Sequence, residues 1–580
     1  MCKAIELRDV CYRYPNSSQP SLNNLTFSVP KGAFVVVMGR SGAGKTTLSL
    51  CLNGLIPQFL EGELNGAVVI DGQDVCLHSV QSMVRHIGLV LDDPETQIFG
   101  RTVWEDAAFG PANLSLPIKD IRRRVDDALK SVHLQGYEER ETAGLSGGEK
   151  QRLAIAGVLA LQPEILALDE PTSELDPVGR TEIYHTIDTL RSAKQLTIFV
   201  TEQNSEEIIC RADELLVLDR GVIAWQGIPQ EFFRNIPLVT EFGIRPLSVG
   251  LVGWDFYQKG WIAFKEIPLD VAAAGKLIGS VLIKRNLIDR INGRTAQPGL
   301  PPAAKAPVLI RVNNLNYRYT PDRIALQSVN LTIRAGEFVA LIGKNGSGKT
   351  TLAKHFNGLL KPSNGEVLID GMNTKDVGTA ALARVVGYVF QNPDHQIFSD
   401  SVVKELEYGL VNTGLDTIEM QRRIDRVLRF TGLEQYRSEP PLSLGKGVRQ
   451  MIAVASILVL EPHILVIDEP TTGLDWDGIQ QIMSLIGQLH KNGTTIIMIT
   501  QDMEIVAQYA DRVIVMNKGR VAAEGGTKEV LENFPVLAQA GIVPPQILRL
   551  SAGLKAFGLR AAFLHAREFI AAIDQALGDT

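Results

Sequence analysis

Cysteine is scarce and badly placed for a scaffold. Cys2, Cys11, Cys51, Cys76 and Cys210 all lie in the first half without a C-x-x-C pair, which argues against zinc, iron–sulfur and disulfide frameworks and for reduced intracellular thiols. The nine histidines show no metal-ligand spacing. Long apolar runs are missing too: no window reaches the roughly 18 uncharged residues of a spanning helix, and the most apolar stretch, MIAVASILVL at 451–460, is closed by Glu461 and Pro462. MCKAIELRDVCYRYP carries no apolar core of a secretory signal. Positive charge is also not in excess. A net charge of −7 gives no basic field for non-specific nucleic-acid binding, so no nucleic-acid partner is expected.

A chain of 580 residues exceeds the roughly 250–300 at which one hydrophobic core stops growing. At least two domains are therefore expected. With 45% hydrophobic and 21% charged residues, each can bury a core of its own. The chain repeats itself: GRSGAGKTT at 39–47 returns as GKNGSGKTT at 343–351, DPETQIFGRTV at 93–103 as NPDHQIFSDSV at 393–403, and LALDEPTSELD at 166–176 as LVIDEPTTGLD at 465–475. Even the tails correspond, LVTEFGIRP at 238–246 with LAQAGIVPP at 537–545. This is a duplicated domain rather than a solenoid. We place a first domain at 1–250, a connecting region at 251–307 ending in the Pro/Ala-rich linker TAQPGLPPAAKAP, a second domain at 308–535 and an extension at 536–580. FVVVMG and FVALIG read as buried strands. Ile118, Ile121, Val125, Leu129 and Val132 are spaced as an amphipathic helix, matched by MQRRIDRVL, so a helical insertion is expected in each half.

A strand followed by G-x-x-x-x-G-K-T is a phosphate-binding loop, in which backbone N–H groups turn inward and the next helix adds its positive N-terminus. Gly39, Arg40, Ser41, Gly42, Ala43 and Gly44 form it in the first half, and Gly343, Lys344, Asn345, Gly346, Ser347 and Gly348 in the second. Lys45 and Lys349 would reach the outer phosphates of ATP. Thr46 and Thr350 would bind Mg2+, with Thr47 and Thr351 completing the loops. The runs ILALDE and ILVIDE deliver Asp169 or Asp468 to the magnesium and Glu170 or Glu469 to the attacking water.

With these motifs in this order twice, the sequence resembles the ATP-binding cassette family. That resemblance implies an α/β fold of two tandem P-loop ATPase domains, each a mostly parallel sheet with a helical subdomain, and an ATPase coupled to transport. LSGGEKQR is similar to the family signature, whose Ser146, Gly147, Gly148 and Glu149 approach nucleotide held by the opposite domain; Ser443 and Gly445 of LSLGKG would be the counterparts. Tyr14 and Tyr319 resemble the aromatic that stacks on adenine. Gln391 resembles the glutamine that links magnesium and water to the membrane-facing groove, and Asp176 and Asp475 the loop touching the partner domain. More narrowly, DPETQIF and NPDHQIF, with the GIRP and GIVPP tails, resemble energy-coupling-factor importers of vitamins and metal ions. That implies an integral membrane coupling protein and a substrate-binding membrane protein as partners, and a peripheral position at the cytoplasmic face of the cell membrane. The competing readings are a soluble twin-cassette protein acting on ribosomes or DNA, and a sugar-importer ATPase.

Three positions depart from the family pattern. Asp92 stands where Gln391 stands, LSLGKG puts Leu444 in place of Gly147 and Lys446 in place of Glu149, and the switch histidine is replaced twice, by Gln203 and by Gln501. If the halves pair head to tail within one chain, LSGGE faces Lys349, Gln391 and Glu469, while LSLGK faces Lys45, Asp92 and Glu170. One site is then complete apart from Gln501, and the other is degenerate.

Overall fold

The computed structural model describes residues 3–15, 17–173, 175–194, 196–294, 306–321 and 323–578. All but the last two residues of the expected linker lie outside these. The chain divides into two units, Met1–Leu247 and Ser248–Thr580.

In the first unit, Phe34–Met38, Ile165–Asp169 and Thr197–Thr201 are buried along their whole length, the mark of inner strands covered on both faces. They belong to a six-stranded sheet ordered Val222–Gly227, Glu214–Asp219, Phe34–Met38, Thr197–Thr201, Ile165–Asp169, Ile87–Val90. All neighbours run parallel except the first pair. That pair turns at Arg220 and Gly221, both left-handed, which suits a tight hairpin. A second, antiparallel sheet holds Lys3–Arg13 between Leu22–Pro30 and Glu63–Ile70. Helix Lys45–Leu52 joins the two: Leu48, Cys51 and Leu52 share one core with Val35 and Val37 of the parallel sheet and Ile5, Leu7 and Leu25 of the antiparallel one. Each such buried aliphatic side chain contributes about 1.5–3 kcal/mol relative to exposure.

The expected helical insertion comprises Val103–Asn113, Ile118–Ser131 and Gly147–Leu159. Ile121, Val125, Leu129 and Val132 are buried as the spacing predicts, but Ile118 is 57% exposed. The apolar stripe begins one turn later because Ile118 occupies the first position of its helix.

The second unit repeats this plan. Phe338–Ile342, Ile464–Asp468 and Thr495–Ile499 are fully buried strands of a six-stranded sheet, and Val402–Val411, Thr417–Thr431 and Lys446–Leu458 form its helical arm. It also contains a bundle that the sequence does not announce. Helices Ser248–Gln258 and Val271–Lys284, which precede the cassette, pack against Gln546–Leu554 and Ala566–Leu577, which follow it. The pairing is crossed: Val271–Lys284 lies on Gln546–Leu554, and Ser248–Gln258 on Ala566–Leu577. Gly279 lies so near the Phe557 ring that a β-carbon there would stand 2.6 Å from it. Lys259 pairs with Asp574 at 2.8 Å, and Asn292 both donates to the Gly558 carbonyl (2.9 Å) and accepts from Arg560 N–H (2.7 Å).

Candidate active site

Ligands of open α/β sheets sit at the carboxyl ends of the strands, and the repeated motifs gather there in each unit. Gly39 and Gly343 leave their strands at φ 145° and 149°. A β-carbon would stand 2.1 Å from the Leu218 carbonyl oxygen at the first and 2.3 Å from that of Met516 at the second, so only glycine fits. Lys45 Nζ donates to the carbonyls of Gly39 and Arg40 at 2.9 and 3.1 Å, and Lys349 Nζ to those of Gly343 and Lys344 at 2.7 and 3.1 Å. Each ammonium is thus buried and folded back over its own loop, where phosphate oxygens can replace the carbonyls. Tyr14 and Tyr319 are tied to the same loops through Thr47 and Thr351, hydroxyl to hydroxyl, at 3.2 and 3.1 Å.

Asp169 and Asp468 end corresponding strands of the two units and are almost wholly buried. Burial raises the pKa of both, opposed by neighbouring hydroxyls: Thr201 and Thr46 beside Asp169, Thr350 and Tyr388 beside Asp468. Thr201 donates to Asp169 Oδ1, and Tyr388 to Asp468 Oδ2 at 3.0 Å. Asp169 Oδ2 and Asp468 Oδ1 are buried with no hydrogen-bond partner. A hard oxygen donor left over in a buried carboxylate, next to a threonine hydroxyl, fits Mg2+.

Glu170 and Glu469 follow with left-handed φ of 44° and 47°, a strained conformation for a side-chain-bearing residue. Each is fixed by its N–H, which donates to the Thr201 carbonyl (3.0 Å) or the Ile499 carbonyl (2.9 Å). Strand register equates Gln203 with Gln501, because Phe34 pairs with Ile198 as Phe338 pairs with Ile496. The two glutamines nevertheless act differently. Gln203 Nε2 donates to Glu170 Oε1 at 2.8 Å, whereas Gln501 Nε2 donates to Asn345 Oδ1 in the phosphate loop at 2.6 Å. Burial pushes Glu170 up to about 7; Lys45, 3.7 Å away, opposes this, and the Glu202 carboxylate adds to it.

The signature segments require a correction. In the first unit Ser146 caps helix Gly147–Leu159 in a reciprocal box with Glu149: Ser146 N–H donates to Glu149 Oε2 (2.7 Å) and Glu149 N–H to Ser146 Oγ (3.4 Å). In the second unit the corresponding helix starts at Lys446 with Gly445 as its cap. Ser443 lies upstream in a 3-10 turn and donates to the Pro440 carbonyl. Flanking contacts agree: Leu175 lies nearest Gly148 and Leu474 nearest Gly447. Gly445 therefore takes the place of Ser146, Lys446 that of Gly147 and Val448 that of Glu149, while Leu444 matches Leu145. The expectation that Leu444 replaces Gly147 is wrong because the Leu442-Ser443 pair lies two residues upstream of the position set by the helix start, where Leu444 and Gly445 stand. The loss is larger than expected, since hydroxyl cap and capping carboxylate both disappear. The Lys446 ammonium lies against Gly473, where an added β-carbon would stand 2.3 Å away.

Asp92 and Gln391 are both exposed at corresponding positions. Beyond them the two QIF segments share one construction. Asp106 accepts from the N–H groups of Phe99 and Gly100 at 2.8 and 2.9 Å, and Glu405 from those of Phe398 and Ser399 at 3.1 and 2.9 Å. The phenylalanines face outward, 71% and 61% exposed. Phe99 packs on Phe109 at 5.6 Å and Phe398 on Tyr408 at 4.6 Å.

Motif reading missed Thr201, Tyr388 and Glu202. The first two touch the aspartates only because of strand order. Glu202 is buried and accepts from Thr172, from Tyr184 OH (2.8 Å) and from Gln203 N–H (2.8 Å); a glutamate ending an apolar strand was the available signal.

A sequence profile of the ABC transporter family matches residues 22–173 and 326–472, the two stretches that carry the phosphate loops, the signature segments and the Asp-Glu pairs. The chain belongs to the ABC transporter family. An ABC transporter ATP-binding protein of Caldanaerobacter subterraneus is 40% identical over 561 residues, covering 95% of this chain and 96% of that one. A namesake from Methanosarcina acetivorans is 39% identical, covering 96% and 91%. Among solved structures, cbiO1 of Clostridium perfringens, part of the transporter complex cbiONQ, is 41% identical over 40% of this chain and 94% of that one, with a TM-score of 0.37. This ABC protein is thus an ATP-binding, ATP-hydrolysing transporter subunit with two fused cassettes. Among the described residues no helix is long and apolar enough to cross a membrane.

Proposed function

We propose that this ABC ATPase drives import of a small solute of the vitamin or metal-ion class through separate integral membrane proteins, a coupling protein and a substrate-binding protein, from the cytoplasmic face of the membrane. The carrying observation is the pair of outward aromatic clusters, Phe99 with Phe109 and Phe398 with Tyr408. Each is held rigid by a buried carboxylate beside the position of Asp92 or Gln391. Large exposed aromatics on a fixed turn mark an interaction surface, and the two copies suit one partner gripped by both cassettes. Co-purification of the full chain with hydrophobic membrane proteins is expected. Co-sedimentation with ribosomes instead would overturn the reading.

Within that function the cassettes pair, each phosphate loop opposite the other's signature. The site of Lys349, Gln391, Glu469 and Gln501 then meets Ser146, Gly147, Gly148 and Glu149 and hydrolyses ATP. The site of Lys45, Asp92, Glu170 and Gln203 meets Gly445 and Lys446 and turns ATP over slowly. Thr46 and Asp169 in one site, and Thr350, Asp468 and Gln391 in the other, would hold Mg2+, which would supply positive charge to offset that of the phosphates. Lys349 orients the phosphates, and Glu469 accepts the proton of the attacking water. Glu170, half protonated near neutral pH and engaged by Gln203, is a poorer base. Losing a general base costs about a hundredfold or more, so Glu469→Gln should nearly abolish ATPase activity in the assembled complex while Glu170→Gln leaves most of it. Equal losses would refute the asymmetry.

A further inference from the structure

Three residues beyond the switch glutamine of the second cassette, Glu504 makes contacts that hydrolysis does not explain. Its Oε1 accepts from the backbone N–H of Gln546 at 2.7 Å, and its Oε2 from the hydroxyl of Ser248 at 2.7 Å. Gln546 and Ser248 are the first residues of the two tail helices, one following the second cassette and one beginning where the first unit ends. They are also joined to each other, since Val249 N–H donates to Gln546 Oε1 at 3.2 Å. On its other side Glu504 belongs to helix Met503–Tyr509, whose cap Asp502 adjoins Gln501 and accepts from the N–H groups of Glu504 and Ile505 at 3.1 and 3.2 Å. Gln501 in turn holds Asn345 of the phosphate loop. A path of hydrogen bonds, joined by the peptide link from Gln501 to Asp502, thus runs from the phosphate loop through the switch segment to the entrance of the tail bundle.

We propose that Glu504 is a positioning residue that anchors the switch segment of the second ATP site to both tail helices, so that the placement of Gln501 and the docking of the bundle depend on each other. A carboxylate suits the task because its two oxygens accept from two independent donors in charge-assisted bonds, whereas an amide would offer one acceptor oxygen and no charge. The inference rests on the reading that the second site is the hydrolytic one.

The test uses the full chain, with ATPase rate measured against ATP concentration and amide hydrogen exchange followed over residues 500–509. Glu504→Ala should lower kcat about tenfold with the KM for ATP little changed, since misplacing a group slows chemistry without weakening binding, and should speed exchange across 500–509. Ser248→Ala should lower kcat about threefold, and Glu504→Gln, which keeps one acceptor oxygen, should fall between the two. Parental kcat in both Glu504→Ala and Ser248→Ala overturns the proposal. So does a loss of protection throughout the second unit with Ser248→Ala unaffected, which would mean a folding role. Should Glu504→Ala fail to fold, Ser248→Ala decides alone: reduced kcat at unchanged melting temperature sustains the proposal, and parental kcat ends it. Glu469→Gln is run in parallel, because activity retained there would sink the assignment of the hydrolytic site rather than the coupling.

Discussion

The two cassettes hold the same aspartate by different means. In the first, Asp169 is steadied by Thr201 from the following strand, and Leu89 stands on the preceding one. In the second, Asp468 is steadied by Tyr388 from the preceding strand, and Ile499 stands on the following one. One hydroxyl is kept in each case, on opposite sides. The carboxylate geometry is therefore conserved while its support is not. At the neighbouring glutamate the reverse holds: the backbone of Glu170 and Glu469 is alike, but Gln203 closes on the carboxylate and Gln501 does not. The phosphate loops are duplicated faithfully, and the divergence falls on the second signature and on the side chains around the two glutamates.

Grafting the degenerate signature onto the first unit is the most severe way to test that contrast. Ser146→Gly with Gly147→Lys and Glu149→Val should lower kcat by about a hundredfold, the usual effect of removing oriented donors. The reverse graft, Gly445→Ser with Lys446→Gly and Val448→Glu, should raise it no more than about twofold. Equal effects in steady-state assays would make the signatures interchangeable. Next in size, Gly279→Leu drives a side chain into Phe557 and should destabilise the second unit by roughly 1–3 kcal/mol, seen in urea unfolding while the first unit keeps its midpoint.

The partly buried Glu170 predicts a pH effect confined to the first unit. Its folded pKa, about 7, lies above the reference value of 4.5, so between those values the folded chain binds more protons than the unfolded one and stability falls as pH rises. Glu170→Gln removes this burden. In nucleotide-free melts the variant should gain roughly 1–3 kcal/mol over the parent at pH 8 and little at pH 4.5; a pH-independent difference would contradict it. Smallest on stability are Phe99→Ser and Phe398→Ser, within about 0.5 kcal/mol because both rings are exposed. Their effect should appear instead as lost co-purification with membrane partners, and unequal loss would show which cassette grips harder.

Much of this arrangement was legible in the sequence because its signals are local. The phosphate loops, the strands ending in Asp-Glu and the helical insertions all follow from spacing within a dozen residues. The second signature was misread by two positions, since matching Leu-Ser at 442–443 to Leu-Ser at 145–146 ignores where the helix begins, and only backbone hydrogen bonding decides that. Thr201 and Tyr388 were invisible for another reason: a hydroxyl finds a carboxylate one strand away, and strand order is not written in any one segment. The role of 251–294 escaped for the same reason, its partners lying after residue 545.

The crossed bundle changes what counts as one piece of this chain. Residues 248–294 and 546–577 form a single packed body, so the second cassette is threaded between its two halves, as a bead is held between the ends of a clasp. Continuity through the linker is then not what keeps the polypeptide together. A protease cut between residues 294 and 306 should yield two fragments that still migrate as one particle, and the protein should tolerate being expressed as two separate chains divided there.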